Sequence, residues 1–228
     1  MRFYLLVGFA FLVIQIIHAQ NGIHLEYKMS SMQTKGKSIA KIDILPATGT
    51  RSEMEFVMPQ LNKAMHMVMI YRKDKPNTSI QVNDQNKTYT EFTRDAQNKQ
   101  SSMKPTVKVI GKEKIGTYNC IHSQVNMNTT TYELWTTKDI DGYTELLNQS
   151  YFDNQGDMKN MFTELKKNNA DGFMVKMQSD SKSAMSMELI KVEEKTLDTS
   201  LFSPPADYKK LDKGAFTQQQ IQDMIKGQ

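Results

Sequence analysis

The sequence predicts an α+β, β-rich domain: a strongly curved antiparallel sheet of about eleven strands, an open half-barrel with helices packed on its concave face. Three observations point there. From residue 23 onward apolar and polar residues alternate in short runs with a period of two. Turn-forming residues punctuate those runs. Apolar residues at helical spacing are confined to a few late segments.

The elements follow in order. Ile23, Leu25, Tyr27 and Met29 alternate with His24, Glu26, Lys28 and Ser30, the mark of a half-buried strand. Ala40, Ile42 and Ile44 repeat the pattern, then Met54, Phe56 and Met58, with Lys35-Gly36-Lys37 and Pro46-Ala47-Thr48-Gly49 as turns. Residues 65–71 differ. Met65, Met67, Met69 and Tyr71 mark one face while Val68 and Ile70 mark the other, so this strand is covered on both sides. Shorter strands follow at 79–83 and 87–93, then a polar loop from Arg94 to Pro105. A second group covers 106–115, 118–127 and 131–137.

Two helices come next. Tyr143, Leu146 and Leu147 stand at i, i+3, i+4, and Met158, Met161, Phe162 and Leu165 form a stripe that suits docking on a sheet. Strands at 172–178 and 184–195 complete the count. Thr217-Gln218-Gln219-Gln220 reads as a capping box opening a short terminal helix with Ile221, Met224 and Ile225 on one side. The expected organisation is a leader at 1–19, a single β domain at 20–212 and the terminal helix at 213–228.

The leader reading rests on Arg2, an apolar run from Phe3 to Ile17, and the small Ala19 before a polar stretch, a signal-peptide pattern with the cut expected after Ala19. The run is short for a bilayer span, which needs ~20 apolar residues. Periplasmic or secreted localisation follows, with no membrane span after cleavage. The charge is nearly balanced, 29 Lys and Arg against 25 Asp and Glu, and interspersed. No basic cluster of the kind that tracks a phosphate backbone occurs, so no nucleic-acid partner is expected. Cys120 is the only cysteine and forms no internal disulfide, so stability must come from a packed core. Sequons at Asn77, Asn86, Asn128 and Asn148 matter only in a host that glycosylates by that route.

Enzyme signatures are thin: no G-x-S-x-G, no H-E-x-x-H, no phosphate-cradling glycine loop, no dinucleotide fingerprint. No catalytic residue, cofactor or metal is therefore assigned. Cys120 and His122 share a strand face, but side chains at i and i+2 stand ~6.5–7 Å apart, too far for a thiolate–imidazole pair. Met65, Met67 and Met69 with His66 would suit a soft-ligand copper site, yet alternation sets His66 on the opposite face.

Methionine is the outlier in composition, 17 residues against one tryptophan. An unbranched, polarizable side chain fills irregular or changeable apolar space. Met65, Met67, Met69, Met158, Met161, Phe162, Met185 and Met187 are the candidate contacts for a hydrophobic small molecule or a lipidated protein held between sheet and helices. The alternatives are a module with a solid core, working through its surface, and, ranked below it, a methionine-rich copper-binding protein. A monomer is expected.

Three stretches carry a resemblance. Val107 to Cys120 (VKVIGKEKIGTYNC) resembles a "G-x-x-x-I-x-G-Y-x-C" segment, with Thr117 standing where the second glycine is usual. Trp135-Thr136-Thr137-Lys138-Asp139 resembles "W-x-x-K-D", and Phe202 to Tyr208 resembles "F-x-x-P-x-x-Y". These segments are similar to those of an exported family, the domain-of-unknown-function 4412 family, over roughly residues 23–212. The last motif is shared with relatives of periplasmic lipoprotein carriers of the LolA/LolB type. The resemblance implies an open β-barrel with a helical lid and a hydrophobic ligand, and no catalytic residues.

Overall fold

The computed structural model describes residues 19–31, 37–58, 63–93, 104–127, 129–141, 156–180 and 185–211. Twelve strands form one sheet: β1 (Ala19–Ser31), β2 (Lys37–Leu45), β3 (Gly49–Met58), β4 (Lys63–Arg72), β5 (Thr78–Asn83), β6 (Thr88–Thr93), β7 (Thr106–Ile115), β8 (Tyr118–Met127), β9 (Thr130–Thr137), β10 (Phe173–Ser179), β11 (Met185–Asp198) and β12 (Lys209–Leu211). One α-helix is described, α1 (Gly156–Lys167), and a 3₁₀ turn spans Thr199–Phe202. The leader, the helical spacing at 143–147 and the tail at 213–228 lie outside the described residues.

The sheet order is β12-β6-β5-β4-β3-β2-β1-β11-β10-β9-β8-β7. It consists of two meanders. β1 to β6 run outward in sequence on one side, β11 back to β7 on the other, and the antiparallel β1–β11 ladder joins them. Short turns make successive strands antiparallel, as alternation and turn chemistry dictate. Gly116, at φ 58, opens the two-residue turn between β7 and β8, while Thr117 keeps a negative φ. A glycine at the first central position is what a type II′ hairpin turn requires, so Thr117 fits where a second glycine is usual. The edge strands β12 and β7 do not pair, so the sheet is open.

Among the described residues the strands number twelve, against an expected count of about eleven. The extra strand is β12, three residues lying parallel to β6. It is a short strap following Tyr208 and not a further hairpin. Three residues of Lys-Lys-Leu carry no alternation to read.

Three buried clusters fill the structure. The central one spans the β1–β11 seam, with Leu25, Ile44, Phe173 and Val175 almost wholly buried. A second packs Leu45, Val68, Ile70, Ile80, Val82 and Leu197 around Phe202. Val68 and Ile70 are the second apolar face of the strand at 65–71, and the chain around Phe202 is what covers it. The third lies under α1, where Met161 and Leu165 pack on Val125, Leu134 and Met177. Each large side chain so buried contributes roughly 1.5–3 kcal/mol of transfer free energy. The helix stops where Asn169 turns left-handed at φ 53 and the Ala170 N–H donates back to the Leu165 carbonyl.

Candidate functional site

Four of the eight candidate contacts converge. Met161 is buried in the cluster under α1, and Phe162, Met185 and Met187 are half-buried against the same cluster. Met127, Met174 and Met177 join them, so methionine dominates the contact between helix and sheet. Met187 also packs against the central cluster, where Met29 and Met54 lie half-buried.

Met67 and Met69 are half-buried on β4 and belong to neither of these clusters. Register still links Met67 to the rest. Met67 stands opposite Met54, Met54 opposite Ala40, and Ala40 opposite Tyr27. One step along β1, Met29 stands opposite Met187, and Met187 opposite Met177. Cross-strand partners share a face. A methionine-bearing stripe thus runs across the sheet from β4 to β10. Met65 lies on β4 opposite Phe56 and Met158 lies in α1; their side chains are outside the described residues.

The histidines are committed elsewhere. His24 Nδ1 lies 2.7 Å from Asp43 Oδ1 and Nε2 3.1 Å from Glu26 Oε1, with His24 and Asp43 both buried. His66 bridges Glu53 at 2.9 Å and Asp84 at 3.0 Å. His122 bridges Glu133 at 2.7 Å and Glu113 at 3.8 Å, and stacks on Trp135 with ring centroids 4.3 Å apart. Each ring cross-links carboxylates instead of facing a nucleophile. Burial would push the Glu53 carboxyl up, but hydrogen bonds from His66 and Arg51 outweigh it and hold it at about 2. Among the described residues no group of three His, Cys, Asp or Glu side chains is placed to hold a metal ion. The copper reading gains nothing: His66 is spent on Glu53 and Asp84.

Cys120 is buried, its thiol directed to the Tyr118 carbonyl at 3.8 Å, and burial pushes its pKa up. A thiol raised this way holds little thiolate, which suits a packing role.

The motif residues gather where alternation alone gave no warning. Trp135 is buried, donates its indole N–H to Glu113 at 2.6 Å, and carries the Lys176 ammonium 4.6 Å from its ring centroid. Lys138 pairs with Asp171 at 3.0 Å. Asp139 accepts both the backbone N–H of Asn119 at 2.8 Å and its side-chain amide at 3.1 Å. These contacts tie β8 and β9 to the turn after α1 and frame a surface pocket of about 420 Å³. Lys112, Glu113 and Lys114 of β7 form one wall, and Cys120 and Thr136 lie at its base. The third motif is structural: Phe202 fills the second cluster, and the Tyr208 hydroxyl donates to Asp84 at 2.8 Å.

No helix among the described residues is long and apolar enough to cross a membrane. A search of curated proteins returns no match. Among solved structures, one of PNGF-II is similar at 16% identity and a TM-score of 0.42, covering 90% of this chain and 33% of that one. The chain thus spans about a third of that protein's length. A LolA superfamily protein from Nitrosomonas europaea is similar at 6% identity and a TM-score of 0.29, covering 80% of this chain and 89% of that one. At such scores neither likeness carries an argument about function. A family described as a domain of unknown function, DUF4412, matches residues 24–208. That match takes in the sheet from β1 to the approach to β12 and all three motif segments: the chain belongs to the DUF4412 family.

Proposed function

We propose that this protein is an exported, non-enzymatic binding protein of the cell envelope, holding a lipid or a lipidated partner against the methionine-bearing stripe of its sheet. One observation carries the reading. Met54, Met67, Met69 and Met187 are only half-buried, yet Met54, Met67 and Met187 sit on a stripe that register makes continuous from β4 to β10. Half-buried methionine offers an apolar, conformationally adaptable surface of the kind that accommodates acyl chains of differing shape. The histidine–carboxylate bridges support the non-enzymatic part, because they absorb the side chains that acid–base chemistry would draw upon. The leader at 1–19 supplies the export.

The test uses the chain beginning at Gln20. Organic extracts of natively purified protein are examined by mass spectrometry, and the purified chain is titrated with a fluorescent fatty acid. Saturable uptake is expected, weakened at least tenfold in Met54→Gln/Met67→Gln, with the unfolding midpoint of the variant read alongside so that loss of binding is told apart from loss of fold. A protein that neither carries an acyl species nor takes up the probe overturns the reading.

A further inference from the structure

We propose that the pocket between β7, β8, β9 and the turn after α1 binds a small organic anion, a carboxylate or a phosphate monoester, through Lys112 and Lys114. Its volume of about 420 Å³ falls within the range of small-molecule sites. Its frame is rigid. β7, β8 and β9 are continuously paired there, and Asp139 pins the start of β8 to the end of β9. The Thr136 hydroxyl, at the base, donates to the Ala170 carbonyl at 2.6 Å and so fixes the turn after α1 against β9.

Charge accounting then selects the ligand. Asp171 is neutralised by Lys138, and Glu113 turns to the other face of β7, where it bonds the Trp135 indole beside His122; Asp139, held by the neutral amides of Asn119, keeps its charge. Lys112 and Lys114 are exposed, stand two apart on β7, and make no hydrogen bond or ion pair among the described residues. Side chains at i and i+2 of a strand share a face, so the two ammonium groups flank one opening. Lys112 and Lys114 thus outnumber Asp139 at the pocket, leaving one net positive charge, and an anionic group there gains two charge-assisted bonds without displacing an internal partner.

The pocket shares no lining residue with the methionine stripe, so the two proposals stand or fall separately. Trp135 is the single tryptophan and bonds a pocket residue, which makes its fluorescence a local reporter. Titrating the chain from Gln20 with glycerol 3-phosphate and, separately, with succinate should give a saturable Trp135 response to at least one of them. The stronger response names the anion class. Lys112→Gln/Lys114→Gln should weaken that binding at least tenfold, whereas Lys108→Gln/Lys209→Gln, which removes the same charge elsewhere, should leave it unchanged. Amide NMR shifts confined to residues 112–121, 136–139 and 169–171 would place the ligand independently. Failure of both probes to saturate, or equal weakening by both double variants, overturns the proposal.

Discussion

The cluster around Phe202 and the cluster under α1 bury comparable elements of one sheet with different materials. The first uses Leu45, Val68, Ile70, Ile80, Val82 and Leu197 to close on one aromatic ring, every member almost fully buried. The second sets Met161, Leu165, Val125, Leu134 and Met177 within a margin of half-buried Met127, Met174, Met185 and Met187. Branched side chains have few rotamers and specify one packing, whereas methionine conforms to whatever shape is offered. One region fastens the segment leading into β12 to the sheet. The other is a surface whose packing can be rearranged without losing the fold.

That difference is sharpest at Phe202. Phe202→Ala empties the centre of a cluster with no flexible neighbour to collapse into it, and the expected cost is about 3–5 kcal/mol, read from denaturant midpoints at unchanged m-value. The loss should also release β12, since Tyr208 and the β12–β6 ladder follow directly from the segment Phe202 anchors. A cost below about 1.5 kcal/mol would show that this cluster relaxes as readily as a methionine one.

The strands were legible because alternation is a local property: Ile23 to Met29, in the central cluster, declare their faces whatever they pair with. The stripe on α1 was legible for the same reason, and its Met161 and Phe162 lie in or against the same cluster as Met185 and Met187. Three things were not. Bulges opposite the Glu26–Tyr27, Trp135–Thr136 and His122–Ser123 steps each insert a residue, leaving Ile190 and Ile110 49% exposed and Val175 buried, which no period predicts. β12 has too few residues to show a period. The anion pocket draws on β7, β8, β9 and the turn at 168–172, segments that only the pairing order brings together.

Under α1 the comparison predicts tolerance. Met161→Ala should cost about 2–4 kcal/mol, as for any buried large-to-small change, but Met161→Leu should cost less than about 1.5 kcal/mol. The neighbouring methionines can follow the new shape. The converse change in the first cluster, Ile70→Met, should cost more than Met161→Leu although both keep nearly the same volume. Equal costs at the two sites would remove the distinction between a fastening and an adaptable surface.

The smallest effect is electrostatic and belongs to the strands that join the two regions. Glu53, on β3, is held at about 2 against an ordinary 4.5, because hydrogen bonds from His66 and Arg51 favour its charged form over the burial that opposes it. A carboxylate depressed in the folded state contributes stability that is complete above its unfolded value and is lost as pH falls through the folded one. The window here runs from about 4.5 down to about 2. Solvent reaches the pair, since the Glu53 side chain keeps 27% of its exposure, so screening reduces the contribution to about 1 kcal/mol. Glu53→Gln should therefore cost about 1 kcal/mol at neutral pH and flatten the acid limb of the stability profile between those values. His66 would keep Asp84 at 3.0 Å, so the variant isolates one arm of the bridge. An unchanged acid limb would show that β3 and β4 are held by their apolar face alone, and that the Phe202 cluster, not the charged bridge, sets the stability of that half of the sheet.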